Sequence, residues 1–111
     1  MSSNFPVVLA ALASEMLTGL GIPERSAQQA VHSLMEGAVS NLADASPDEA
    51  LTGPLVRGDV DTVMRHLAAL RGDAQARSVY KRLSLAALSI AERRGADRAS
   101  LEEIQRVLLT R

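Results

Sequence analysis

Cysteine and tryptophan are missing from this chain, and its aromatics amount to one phenylalanine and one tyrosine. Without cysteine there are no disulfides and no thiolate zinc sites, which agrees with a cytoplasmic location as the expected one. Without aromatics, a core must be built from Leu, Ala, Val, Ile and Met, the residues of packed helices. Neither sign of charge dominates: 12 basic and 13 acidic residues are spread without runs. No electrostatic footprint for a polyanion results, so nucleic acid is not an expected partner. No apolar run reaches the roughly 20 residues of a membrane span. No basic segment precedes the apolar opening "FPVVLAALA", so neither membrane insertion nor a targeting leader is expected.

What is present is a succession of helical patterns, with no alternating β-branched stretch that would mark a strand. The expected fold class is all-α, with five to six helices in a single domain over the 111 residues. Phe5 to Thr18 carries Pro6 in its first turn and stops at Gly19 and Gly21. Its near-absence of polar residues predicts a helix buried on several sides, either purely within the core or also at a subunit or domain interface. Pro23 to about Ala45 reads as one long amphipathic helix, with Ala27, Ala30, Val31, Leu34, Met35, Ala38, Val39 and Leu42 recurring at the helical period. "SPDEAL" supplies Ser46, Pro47 and Glu49 as a capping box for a short helix. Further helices are predicted from Val60 to Arg71 and from Ala74 to Arg94, the latter closed by Gly95, and a last one is capped by Ser100 with Glu103. In the Ala74–Arg94 segment the buried face is expected to include Leu83.

Catalytic constellations are scarce. His32 and His66 have no partner at metal-ligand spacing, so no metal site is expected. The serines lie inside helical runs without a strand-to-helix elbow, and there is no Gly-x-Gly-x-x-Gly or phosphate-binding loop. One stretch stands apart, "LTGPLVRGD" from Leu51 to Asp59. Gly53, Pro54 and Gly58 suit a corner between helices, and Asp59 suits the N-cap of the next helix. Arg57, just before that helix start, reads either as a solvated side chain or as a clamp for a carboxylate or phosphate. His66 follows Asp59 at i+7 and reads either as a structural histidine or as a group on the ligand side. The two Arg-Gly-Asp triplets each coincide with a helix boundary, which accounts for them locally.

"SSNF" leading into an apolar helix, the long second helix, "ALTGPLVRGDVDTVMRHLAAL" and a helix containing Tyr80 resemble the C-terminal helical domain of a Rossmann-like oxidoreductase family of unassigned substrate. That domain belongs to the superfamily of 6-phosphogluconate dehydrogenase C-terminal-like domains, with ketopantoate reductase and pyrroline-5-carboxylate reductase as relatives. The resemblance implies a helix-packed homodimer and a substrate cleft to which Asn4, Thr52, Arg57 and His66 contribute. Asn4 and Thr52 would be hydrogen-bond partners of a polar substrate or of the nicotinamide amide, Arg57 an anion clamp, and His66 a proton-transfer or orienting group. NAD(P) would be bound by an N-terminal Rossmann domain, absent from this chain, so no cofactor is expected on the chain alone. The acid that precedes the asparagine in related reductases would be missing too, leaving Met1 as a start within a larger architecture and the chain catalytically incomplete. The alternative is a free-standing helical module for self-assembly or protein-protein interaction.

Overall fold

The computed structural model describes residues 1–111. They form six helices and no strand, the all-α class expected from the composition. None of the helices is long and apolar enough to cross a membrane. Contacts fall into two compact units, Met1–Asp44 and Ala45–Arg111.

The first unit is a helical hairpin of α1 (Phe5–Gly19) and α2 (Glu24–Asn41), which pack along one another. α1 ends in a Schellman turn, with the Ile22 N–H donating to the Leu17 carbonyl at 3.2 Å and that of Gly21 to Thr18 at 3.0 Å. Despite its apolar sequence α1 has no buried residue. Phe5, Val7 and Val8 are 56%, 68% and 51% exposed. The expectation of a helix enclosed on several sides is corrected here: α2 is its partner within the unit, and one helix covers one side of another. α2 in turn buries Ala27 and Val31, while Leu34, Val39 and Leu42 of its predicted stripe are exposed. It also stops short of Ala45. The N–H groups of Leu42, Ala43 and Asp44 turn to carbonyls three residues back, a tightening typical of a helix end. Pro47 then disfavours helical backbone at Ser46.

The second unit contains α3 (Pro47–Ala50), α4 (Val60–Ala69), α5 (Ala74–Arg93) and α6 (Arg98–Leu109). Four local caps set their starts. The Ser46 hydroxyl accepts from the Glu49 N–H, and Asp59, Asp73 and Asp97 accept from the N–H groups of Thr62, Ala76 and Ser100. The last of these corrects the predicted Ser100 cap. α6 begins three residues earlier, and Ser100 donates both its N–H (3.0 Å) and its hydroxyl (2.9 Å) to Asp97. α6 packs against both α4 and α5. Val63, Leu67, Ala91, Leu101, Ile104 and Leu108 form the buried cluster. On α5 the inward face includes Ser84, while Leu83, expected inside, is 52% exposed.

Candidate functional site

Within the loop from Leu51 to Asp59, Pro54 to Gly58 form a turn closed by a second Schellman arrangement. The Asp59 N–H donates to the Pro54 carbonyl at 2.9 Å, and the Gly58 N–H to Leu55 at 3.1 Å. This geometry needs a left-handed residue at the penultimate position, and Gly58 supplies it with φ +65°. A Cβ on Gly58 would also stand 3.2 Å from that of Ser100, so α6 passes close to the loop backbone. Asp59 ends this turn and starts the next element. Its carboxylate accepts from the Thr62 N–H at 3.1 Å and from the Thr62 hydroxyl at 2.8 Å.

Two basic side chains anchor the loop's near end. Arg93 meets Asp48 in a bidentate pair, Nε at 2.6 Å and Nη2 at 2.9 Å. Arg94 directs Nη1 to the carbonyls of Asp48, Glu49 and Leu51 at 2.7, 3.2 and 3.3 Å. These carbonyls lie in and just after α3, where a helix leaves acceptors unmet and favours a cation. The hydrogen bond from Arg93 holds the Asp48 carboxyl below the usual carboxylate range. Neither arginine is marked as a loop anchor in the sequence beyond standing at a helix end.

The residues singled out from sequence divide between the two units. Asn4 is exposed at the start of α1, and its side chain makes no capping hydrogen bond. Thr52 is exposed at the start of the loop. Arg57 is exposed too, with Nη2 3.9 Å from Asp59 Oδ2. That carboxylate, lowered in pKa chiefly by its hydrogen bonds from Thr62, also feels the charges of Arg57 and Arg65. Arg65 in turn donates to the Thr62 hydroxyl at 2.9 Å. Asp59, Thr62 and His66 thus follow one side of α4 at the spacing of helix neighbours.

His66 carries a partner that the sequence did not single out for the site. Its Nδ1 lies 3.0 Å from the Tyr80 hydroxyl, and the two rings meet edge to face at 5.7 Å. Tyr80 is half-buried on α5 and packs against the core cluster. Burial pushes its hydroxyl above the usual phenol range, partly offset by the Ser84 hydroxyl. The pair spans the Arg71–Asp73 break, and in the sequence Tyr80 is marked only as the chain's single tyrosine and as part of a helix that carries the family resemblance. No grouping of His, Asp and Glu has the arrangement of a metal site.

Within the first unit, an open groove of about 830 Å³ runs between α1 and α2, lined among others by Val7, Ala11, Ser14, Gln28, His32 and Met35. His32 pairs with Glu36 one turn on, at 3.4 Å, with both side chains exposed.

No curated protein and no solved structure matches this chain. Residues 1–87, which contain the hairpin, the Leu51–Asp59 loop and both members of the His66–Tyr80 pair, match the model of DUF2520, a domain of unknown function. The chain belongs to the DUF2520 family.

Proposed function

We propose that this chain is the self-associating, cleft-lining helical part of an NAD(P)-dependent oxidoreductase. The observation that carries the self-association is α1, an almost wholly apolar helix without a buried residue. A contiguous apolar surface of this kind stays soluble by being covered, and in a homo-oligomer the simplest cover is the same surface of a second copy, related by a twofold axis. The cleft part of the reading rests on the resemblance described above and on the polar strip from Arg57 through Asp59 and Thr62 to His66. On this reading Arg57 clamps an anionic group, His66 orients or transfers a proton, and Thr52 hydrogen-bonds a polar substrate or the nicotinamide amide.

The dinucleotide does not fit the helix starts of α4, α5 and α6. A pyrophosphate needs free N–H groups at a helix N-terminus, whereas α4, α5 and α6 each have a carboxylate there, from Asp59, Asp73 and Asp97. The cofactor would be held by a separate Rossmann domain and would supply the hydride chemistry. This chain's residues would bind and orient the substrate.

Sedimentation of the wild-type chain and of Val8→Glu at about tens of micromolar tests the reading. Val8 is half-exposed, so a glutamate there leaves the helix intact and places charge on the apolar surface. A wild-type dimer that becomes monomeric on substitution is the expected result, together with a flat titration by NADPH. A wild-type monomer at that concentration overturns the self-association, and saturable NADPH binding with Kd of about 10 micromolar or tighter overturns the division of labour with a Rossmann domain.

The exposed hairpin also favours a second reading, a free-standing helical module for self-assembly or protein-protein interaction. It shares the dimer expectation and differs in giving Arg57 and His66 no ligand.

A further inference from the structure

His66 is an exposed imidazole whose one strong local contact is fixed in identity and geometry: the Tyr80 hydroxyl, 3.0 Å from Nδ1. Which of the two groups donates follows from the surroundings. Tyr80 is seated among core residues, with Leu85, Leu88 and Val107 in the same packed set, so its ring has one orientation relative to α4. Burial disfavours its phenolate, and the hydroxyl keeps its proton across the neutral range. A phenol can donate or accept, whereas neutral imidazole has one nitrogen of each kind. If Tyr80 donates to Nδ1, the ring's own proton must sit on Nε2, the nitrogen turned away from the tyrosine. If Nδ1 donated instead, the phenol oxygen would accept and its own O–H would turn to another acceptor. A phenol O–H is a strong donor and its oxygen a weak acceptor, whereas an unprotonated imidazole nitrogen is a strong acceptor, so at 3.0 Å the O–H···N arrangement is the favoured one.

We infer that Tyr80 is a positioning residue for His66: its hydroxyl donates to Nδ1, the neutral imidazole carries its proton on Nε2, and that N–H is offered to an oxygen acceptor of a bound molecule. The ligand atom recognised is a carbonyl or carboxylate oxygen. This deepens the reading of His66 as ligand-facing and rests on it for the ligand, while the tautomer is a property of the free chain. Tyr80 does not pass its proton on, because a tyrosinate in a half-buried site is the disfavoured form; it sets the direction in which His66 acts.

The test is long-range proton–nitrogen correlation NMR on the nitrogen-15-labelled chain at a pH where His66 is neutral, in the wild type and in Tyr80→Phe. In the wild type the expected pattern is a single tautomer with Nδ1 unprotonated. In Tyr80→Phe, which keeps the edge-to-face ring contact, the form protonated on Nδ1 should rise about fivefold relative to the other, the weight of one net hydrogen bond. Two tautomers already mixed in the wild type, or an unchanged ratio in a folded Tyr80→Phe, overturn the proposal. Should the variant fail to fold, the wild-type spectrum alone decides it. A correct tautomer in a chain that forms no oxidoreductase leaves the positioning intact and removes the proposed ligand role, so the two failures are distinguishable.

Discussion

Replacing Gly58 by alanine should destabilise the second unit, and the structure separates the causes. At φ +65° an L-residue pays for left-handed backbone, about 1–2 kcal/mol. Alanine also restricts the unfolded chain, which returns about 0.4–1 kcal/mol. The new Cβ meets the Ser100 Cβ at 3.2 Å. Ser100 has little room to give, because its N–H and hydroxyl are both bonded to Asp97 at the start of α6. The net loss should be about 1–2 kcal/mol, which for a unit of this size lowers Tm by roughly 4–8 °C per kcal/mol. The control is Gly72→Ala: Gly72 is not among the glycines with positive φ, and a Cβ there would meet nothing within 4 Å. Its effect should stay within about 0.5 kcal/mol. Urea unfolding followed by circular dichroism measures both, and a double-mutant cycle with Ser100→Gly isolates the steric share. A Gly58→Ala chain as stable as wild type, or a Gly72→Ala chain as damaged as Gly58→Ala, would refute the assignment of Gly58 to the closing turn.

Two further outcomes follow from the charged groups. Asp48, Asp59 and Asp97 are each held below the ordinary carboxylate range, chiefly by hydrogen bonds from Arg93, Thr62 and Ser100. Their contribution is complete above the unfolded-state value of about 4 and is lost as pH falls through the lower folded values. Urea midpoints should therefore hold steady between about pH 7 and 5 and fall below about pH 4, with a shallower fall in Asp97→Asn. A midpoint that drops already between about pH 7 and 5 would contradict this. Arg57→Ala should leave the midpoint nearly unchanged, since its contact with Asp59 is long and exposed. In a two-domain oxidoreductase containing this chain, it should weaken an anionic substrate by about tenfold or more. Unchanged affinity in ligand titrations would favour the interaction-module reading.

Helix starts and stops were legible from sequence wherever the chemistry that sets them is local. Ser46, Asp59 and Gly95 do what their types and neighbours dictate, because a cap needs a hydrogen-bond acceptor within three residues and a closing turn needs a residue free to take positive φ. The start of α6 was misread because "DRASLEE" offers two overlapping caps, Asp97 with Ser100 and Ser100 with Glu103; the turn through Gly95 and Ala96 leaves Asp97 first in line. Fold class was legible for the same reason of locality, since helical periodicity and the absence of strand patterns are properties of short windows. The depth at which each face is buried was not. Leu83 and Ser84 are adjacent on α5, and which one lies inside depends on where α6 packs. The apolar sequence of α1 says that it needs cover, and tertiary structure decides that α2 provides only one side of it. The clamp of Arg94 on the carbonyls after α3 and the meeting of His66 with Tyr80 join residues distant in sequence. Such contacts exist only once helices are placed, because a side chain's periodic position fixes the face it occupies and leaves open what that face meets.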